Sequence, residues 1–128
     1  MIHGVGTDIV AIARIERMIA DHGERTAEKL LVPAEMARYR EAARPAAYLA
    51  KRFAAKEALG KALGLGLRDP ATLHNIAVVS DGIGRPSFEY APPLADWLQE
   101  RRLRAHLSLS DETDTAMAFV VVETEDRQ

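Results

Sequence analysis

The stretch RFAAKEALGK, residues 52–61, decides the fold because it reads as the middle of the longest helix of the chain. Pro45 favours a helix start and Gly64 a helix end, so the pattern predicts a helix over 46–64. Small and apolar residues dominate both of its faces, which is typical of a helix buried at the centre of a fold. Glu57 is then an acid in an apolar setting, and it needs a positive partner because burial removes the hydration of a carboxylate.

A second segment, GVGTDIV at residues 4–10, belongs to a predicted strand over 2–10. Gly4, Gly6 and Asp8 alternate and therefore share one face, where the glycines leave room for a close approach to the backbone. Asp8 and Glu57 together suit a shared Mg2+, since this ion usually takes one or two carboxylates plus substrate phosphates. In the plainer interpretations, Asp8 caps the next helix and Glu57 forms an i,i+4 ion pair with Lys61.

The whole pattern predicts an α+β fold, in which a small, mostly antiparallel sheet packs around the long central helix. No repeat or linker divides the 128 residues, so 1–128 is expected to be a single domain. Further predicted helices cover 12–22, 24–31, 34–43 and 93–102; predicted hairpins pair 76–80 with 87–90 and 106–110 with 115–123; a loop covers 67–74, and a charged, frayed tail covers 123–128.

The composition excludes several classes of protein. The chain has no cysteine, so disulfide frameworks and thiolate catalysis are excluded. Its net charge of −2 argues against a general nucleic-acid binder. The pattern of a signal peptide and an apolar run of membrane-spanning length are both absent from the sequence, so a cytoplasmic protein without membrane attachment is expected.

Three further groups of residues have both a plain and a functional interpretation. His106 shares a predicted strand face with Ser108; without a nucleophile elbow this is no hydrolase pair, and His106 is either structural or a donor to a phosphate. The glycine-containing turn before Arg85 is either turn chemistry or a phosphate cradle. The cations around the first helix are either a solvated face or a docking surface for an acidic partner; they are Arg14, Arg17, Arg25 and Lys29.

Four segments together resemble the holo-acyl-carrier-protein synthases, a family of 4′-phosphopantetheinyl transferases. The segments are GTDIV at 6–10, RFAAKEA at 52–58 followed by Lys61, GRP at 84–86 and HLSL at 106–109. Their order and spacing make the resemblance specific, and it runs nearly from end to end of the chain.

The resemblance implies the fold of that family and a transferase of fatty acid biosynthesis. Coenzyme A would bind as its Mg2+ complex, with Asp8 and Glu57 on the metal, and a serine of apo acyl carrier protein would attack the β-phosphate so that 3′,5′-ADP leaves. Glu57, or a water it orients, would be the base, and Lys61 would stabilise or protonate the leaving phosphate. Such a reaction relies on positioning and charge neutralisation.

The resemblance also implies contacts to the substrates and between subunits. Arg14 would meet the carrier protein, with Arg17 and Arg25 as further contacts. Family members of this size form homotrimers with active sites between subunits, so Asp8, Glu57 and His106 need not belong to one chain. The implied contacts to the nucleotide are Arg52, Lys56, Gly84, Arg85, Pro86, His106 and Ser108.

One position departs from the family pattern, which commonly has an acid where this chain has Ala11. We expect weaker support around the metal there, without loss of the reaction. Two other classes of function remain open: a non-catalytic module that binds coenzyme A or a carrier protein, and an unrelated Mg2+-dependent nucleotide hydrolase. The second is disfavoured because the chain lacks a P-loop and an Asp-rich metal cluster.

Overall fold

The computed structural model describes residues 1–125, and the predicted α+β fold is confirmed. Within these residues it has five strands, five α-helices and a short 3-10 helix. In chain order they are β1 (Ile2–Ala11), α1 (Ile12–His22), α2 (Arg25–Leu30), α3 (Pro33–Glu41), α4 (Pro45–Leu63), the 3-10 helix (Leu73–Asn75), β2 (Ile76–Ser80), β3 (Pro86–Tyr90), α5 (Pro92–Glu100), β4 (Leu103–Asp111) and β5 (Thr115–Thr124).

Helix α4 lies at the centre of the fold, as the RFAAKEALGK stretch predicts. It begins with Pro45 in its first turn and ends before Gly64, which has a left-handed φ of 80°. Twelve of its 19 residues are buried, including Arg52 and Lys56. Small side chains on both faces allow strands on one side and helices on the other to approach the helix closely.

The larger sheet has the antiparallel order β1–β5–β4, and one of its faces packs on α4. Alternate residues of β5 cover the helix and are fully buried; they are Ala116, Ala118, Val120 and Val122. On β1 a Cβ at Gly4 would collide with the carbonyl oxygen of Ala62, and a Cβ at Gly6 with that of Ala58. The close approach predicted from the two glycines is therefore confirmed, and the approaching group is the backbone of α4.

The opposite face of this sheet, here called the outer sheet face, carries exposed apolar side chains. Val5 and Ile9 of β1 and Met117 and Phe119 of β5 are between 41% and 66% exposed. A row of apolar groups on a regular sheet is a common feature of association surfaces.

Several boundaries differ from the predicted ones. Helix α5 ends at Glu100, because Arg102 has a φ of 56° that stops the helix, and β4 already begins at Leu103. The predicted loop over 67–74 gives way to the 3-10 helix from Leu73. Strand β5 continues to Thr124, so the predicted fraying of the tail is wrong for Glu123 and Thr124. The last part of that tail, 126–128, lies outside the described residues.

None of the helices within residues 1–125 combines the length and the apolar character that a membrane crossing needs.

Candidate active site

The packing of β1 on α4 places Asp8 and Glu57 in one electrostatic cluster. Gly6 sits over the carbonyl oxygen of Ala58, and Asp8 follows two residues later on the same face of the strand. Burial and the neighbouring Asp8 carboxylate raise the pKa of Glu57, while Lys61 and Arg14 act in the opposite direction. Two carboxylates that repel each other in a half-buried place form a cluster that a cation stabilises.

Lys61 bridges the helix and the strand. Its Nζ donates to the carbonyl oxygen of Thr7 at 2.8 Å and lies 3.3 Å from Oδ1 of Asp8. The plain expectation of an ion pair between Glu57 and Lys61 is therefore wrong, because the lysine reaches across to β1.

The capping interpretation of Asp8 is also wrong. Helix α1 has Ala11 as its N-terminal cap residue, without a side-chain hydrogen bond to the cap. The Asp8 side chain is 19% exposed and pairs with Lys61. Asp8 therefore belongs to the charged cluster with Lys61 and Glu57 of α4. The side chain of Ala11 has no oxygen that could act as a further metal ligand there.

The donor set around this cluster is small. Within residues 1–125 no group of three or more His, Cys, Asp or Glu side chains comes close enough to hold a metal. Two carboxylates still fit Mg2+, which keeps several waters and takes substrate phosphates as further ligands. The residues present fit a metal shared with a phosphate-bearing substrate.

Arg14 lies at the edge of the cluster. Its guanidinium carbon is 5.8 Å from the centre of the Phe53 ring, and its charge lowers the pKa of Glu57 against the effect of burial. Arg17 and Arg25 are both exposed. Arg25 lines a groove of about 470 Å³; the other lining residues are Met18, His22, Thr26 and Lys29.

Arg52 is buried on another side of α4. It is 8% exposed, its guanidinium lies 4.0 Å from the centre of the Tyr48 ring, and its buried Nε has no hydrogen-bond partner. The Tyr48 hydroxyl donates to the carbonyl oxygen of Glu35 at 3.0 Å. Arg52 therefore lines a small polar cleft between α3, α4 and β2 instead of pairing with a carboxylate.

The position of Lys56 corrects one expectation. Its Nζ is fully buried and donates to Oε1 of Glu35 at 2.7 Å, to the carbonyl oxygen of Leu30 at 2.8 Å and to that of Leu73 at 3.1 Å. All three donors of the ammonium group are used inside the protein, so Lys56 has no donor left for a nucleotide phosphate. Burial lowers the pKa of Lys56, and Glu35 opposes that effect.

His106 and Ser108 lie on the outer sheet face. His106 pairs in register with Val121, whereas Asp8 pairs with Ala118, whose side chain faces α4. His106 Nε2 is 2.9 Å from Oε1 of Glu123, and this contact lowers the pKa of Glu123. One chain therefore does not bring His106 to Asp8 and Glu57, since the sheet separates them.

The turn between β2 and β3 is organised by Asp81. The backbone N–H groups of Ile83 and Arg85 donate to Oδ1 of Asp81 at 2.9 Å each, and that of Gly84 donates to the Asp81 carbonyl oxygen at 3.1 Å. These hydrogen bonds from the backbone lower the pKa of Asp81. The Gly84 and Arg85 amides are thus unavailable as a phosphate cradle, and the Arg85 side chain remains exposed at the start of β3, which opens with Pro86.

Sequence reasoning missed Glu35 and Tyr48. Both Glu35 oxygens accept backbone N–H groups, from Val32 at 3.0 Å and from Val78 at 2.9 Å. An acid in the first turn after Pro33 is a helix-start signal, but the pattern carries no sign that the acid is buried. The sequence pattern groups the ring of Tyr48 with the apolar stripe of α4. Its contact with Arg52, four residues later, forms between adjacent turns of the helix.

Comparisons with known proteins give one consistent result. A family model described as the 4′-phosphopantetheinyl transferase superfamily matches residues 4–120. A holo-[acyl-carrier-protein] synthase of Azoarcus sp. (strain BH72) is 56% identical over 124 residues, which covers 97% of this chain and 99% of that protein.

Solved structures agree with the relatives. The crystal structure of holo-[acyl-carrier-protein] synthase from Neisseria meningitidis has a TM-score of 0.93 and 48% identity, and the match covers 96% of this chain and 99% of that one. A holo-(acyl-carrier-protein) synthase from Bacillus anthracis, solved in complex with CoA (3′,5′-ADP), has a TM-score of 0.83 and 31% identity, with 98% and 99% of the two chains covered.

Proposed function

Because the chain belongs to the 4′-phosphopantetheinyl transferase superfamily, we propose that it works as a holo-acyl-carrier-protein synthase. It transfers the 4′-phosphopantetheine arm of coenzyme A to a serine of apo acyl carrier protein, and 3′,5′-ADP leaves. The observation that carries the proposal is the cluster of Asp8, Glu57 and Lys61, formed where β1 packs directly on α4. We assign the reaction to fatty acid biosynthesis.

Asp8 and Glu57 are the proposed ligands of Mg2+. When bound, the ion neutralises charge on the pyrophosphate of coenzyme A. Burial and, after it, repulsion by the Asp8 carboxylate raise the pKa of Glu57 in the free protein, and this repulsion supports the assignment. Ala11, the cap of α1, offers no further oxygen there, and we expect Ala11→Asp to lower the Mg2+ concentration needed for half-maximal activity.

The transfer step uses Glu57 and Lys61 of this cluster. The serine oxygen of the carrier protein forms a bond to the β-phosphorus, and the bond to the oxygen shared by the two phosphates breaks. Glu57, or a water held by it, accepts the serine proton. Lys61, anchored at the carbonyl oxygen of Thr7, neutralises or protonates the departing phosphate.

Contacts to the nucleotide are assigned to Arg52, Arg85, His106 and Ser108, with Gly84 and Pro86 shaping the turn that presents Arg85. The buried and unpaired Nε of Arg52 supports its part, because a buried guanidinium needs an acceptor. Lys56 supports α4 from inside instead of contacting the substrate.

We assign the carrier-protein surface to Arg14, Arg17 and Arg25. Arg14 stands closest to the cluster, since its charge acts on Glu57, and the groove beside Arg25 adds Lys29. Within residues 1–125 Arg14, Arg17 and Arg25 form no salt bridge, so their charges are available to an acidic partner.

The proposed assembly is a homotrimer with active sites between subunits, each subunit being one domain over 1–128. Exposed Val5, Ile9, Met117 and Phe119 give the outer sheet face the apolar character of an association surface. The position of His106 on that face supports the same arrangement, because only a second copy can bring it near Asp8 and Glu57. The cysteine-free chain fits a location in the reducing cytoplasm.

The test is an incubation with apo acyl carrier protein, coenzyme A and Mg2+, read by the intact mass of the carrier. The expected result is a gain of one phosphopantetheine that EDTA abolishes. Glu57→Gln should retain the folded far-UV spectrum and lose transfer, while Glu89→Gln, at an exposed position of β3, should transfer normally. Binding of coenzyme A without any transfer would contradict the enzyme and favour a binding module; a fully active Glu57→Gln variant would contradict the assigned metal ligand and base.

A further inference from the structure

The small cleft between α3, α4 and β2 has an unbalanced positive charge. Arg38 of α3 and Arg52 of α4 both line it, and its volume is about 180 Å³. Within residues 1–125 neither arginine forms a salt bridge. Glu35 also lines the cleft, but its carboxylate lies 2.7 Å from the Lys56 ammonium and accepts two backbone N–H groups. The Glu35 and Lys56 charges therefore cancel, and the two arginines remain.

A buried guanidinium in this state is costly without an acceptor. Arg52 is 8% exposed, and its Nε has no hydrogen-bond partner. Replacing lost hydration requires hydrogen bonds or a counter-charge. A phosphate group satisfies both needs, because its oxygens accept the planar array of N–H donors that a guanidinium offers.

Tyr48 fixes the direction of Arg52. The ring lies 4.0 Å from the guanidinium, and the hydroxyl donates to the carbonyl oxygen of Glu35. Glu35 is itself held by Lys56 from the next turn of α4. A chain of contacts thus runs from the buried ion pair through the tyrosine to the arginine, and each member is anchored before a ligand arrives.

We propose that Arg38 and Arg52 bind the same phosphate group in this cleft and that Tyr48 is the positioning residue for Arg52. This inference rests on the proposed function, because the phosphate is one carried by the nucleotide part of coenzyme A. Arg38 is the new contact, and it has not been assigned to the nucleotide above. Tyr48 also lines the cleft, and its proposed role is to hold the guanidinium of Arg52 in place.

Calorimetric titration with coenzyme A, on the full chain without carrier protein, tests the role of Arg38. We expect Arg38→Gln to weaken binding by about fivefold, as for loss of one partly exposed charge-assisted contact. The matched control is Arg40→Gln, which removes an equal charge from the same helix at a residue paired with Glu24, outside the cleft. Equal affinities of the two variants would overturn the assignment of Arg38.

The role of Tyr48 is tested by a double-mutant cycle. Tyr48→Leu should weaken coenzyme A binding about tenfold or more, and Tyr48→Phe, which keeps the ring, should weaken it less. In the Arg52→Gln background Tyr48→Leu should have little further effect, because the residue acts through Arg52. If Tyr48→Leu lowers the affinity for coenzyme A as much in the Arg52→Gln background as in the wild type, the positioning role is overturned. Such additivity would mean that Tyr48 affects binding independently of Arg52, as a general loss of structure does.

The same variants separate this inference from the proposed function. If the wild-type chain binds coenzyme A or inorganic pyrophosphate but transfers nothing, the proposed function fails while the variants still test the cleft. If the wild-type chain binds neither probe, the cleft proposal is overturned. If the variants bind coenzyme A as weakly as predicted and the wild-type chain transfers phosphopantetheine, the cleft proposal and the proposed function are both supported.

Discussion

Gly6 shows how one missing side chain sets the geometry of the candidate site. The strand touches the carbonyl of Ala58 because Gly6 has no Cβ, and Asp8 is carried towards Glu57 by that contact. Asp8 itself occupies a regular position of β1. Its chemistry depends on the two glycines before it.

We therefore predict that Gly6→Ala lowers both the free energy of unfolding and the transfer rate. The added methyl group overlaps main-chain atoms, which cannot move aside as a flexible side chain would, so a loss of about 1–3 kcal/mol is expected. Denaturant unfolding measures it. The control is Gly82→Ala, where a Cβ has open space around it. Similar stabilities of the two variants would contradict the packing role of Gly6.

Lys61 is expected to matter for the rate more than for stability. Its pair with Asp8 is half exposed on the lysine side, and such pairs contribute less than about 1 kcal/mol to folding. Lys61→Gln should lower kcat about a hundredfold, because a group acting on the leaving phosphate is lost. Lys51→Gln, on the same helix and paired with Asp111 at 3.4 Å, should leave kcat unchanged. Equal values of kcat in the two variants would remove Lys61 from the reaction.

The residues of the site were only partly predictable from the sequence. Asp8 and Glu57 stand out because each is an acid among small or apolar residues. The plain interpretation pairs Lys61 with Glu57, since a residue four positions away is the partner that a helical pattern shows. The observed partner of Lys61 is on a strand more than fifty positions away, and such long-range pairs leave no local signal. The resemblance implies that Lys56 contacts the nucleotide, and no local pattern indicates its pairing with Glu35, because that acid belongs to another helix.

Among the elements, α3 and α4 are joined by the buried pair of Glu35 and Lys56. We predict that Lys56→Met lowers the free energy of unfolding by about 3–5 kcal/mol, since it leaves the Glu35 carboxylate buried without its counter-charge. The double variant with Glu35→Leu should be more stable than the sum of the single losses indicates. Additive losses in thermal or denaturant unfolding would contradict the coupling. Arg40→Gln, which breaks an exposed pair, should cost less than about 1 kcal/mol.

Strand β3 ends in a tyrosine that should make stability fall at high pH. Burial raises the pKa of Tyr90 to about 12, above its ordinary value of 10.0. Between these values the unfolded chain loses the phenolic proton while the folded chain keeps it, so the free energy of unfolding decreases as pH rises. Denaturant midpoints at about pH 9 and about pH 11 measure the decline. Tyr90→Phe should reduce it, and an unchanged decline would contradict the shifted pKa of Tyr90.

Element boundaries followed from the sequence where a residue type controls the backbone. Pro45 and Gly64 mark α4 because one lacks an N–H and the other accepts a left-handed conformation. The sequence pattern extends α5 to residue 102, two residues beyond its end at Glu100, because the left-handed φ of Arg102 is not indicated by its residue type. The sequence predicts the turn at 81–86, but it does not indicate that the Ile83 and Arg85 amides donate to the Asp81 carboxylate, because those hydrogen bonds depend on the folded backbone.

At the scale of the whole molecule, the outer sheet face leads to a prediction about association. Phe119→Glu places a charge at the centre of that face and should reduce the proposed trimer to monomers in analytical ultracentrifugation, with loss of transfer. Ser87→Glu, at an exposed position of β3, should leave the assembly intact. A trimeric Phe119→Glu variant would show that the subunits meet elsewhere.

Mixed assemblies test whether active sites lie between subunits. Glu57→Gln and His106→Ala should each lose most activity as pure proteins. When both are expressed together, a chain with an intact Glu57 can meet a chain with an intact His106, and part of the activity should return. Absence of any recovery in co-assembled protein would mean that one chain supplies both residues. The sequence resemblance implied this arrangement, and the separation of His106 from Asp8 by the sheet gives it a physical reason.

The contact between Gly6 and the Ala58 carbonyl has one more consequence, for the choice of ion. Strand β1 and helix α4 meet through main-chain atoms, so the distance between their backbones is fixed by this contact. Oxygen ligands stand at about 2.0–2.1 Å from Mg2+ and about 2.3–2.6 Å from Ca2+. The contact fixes the backbone of the strand and the helix, so only the Asp8 and Glu57 side chains could adjust to a larger cation. Any preference of the proposed site for Mg2+ over Ca2+ would then depend on how far these two side chains can move.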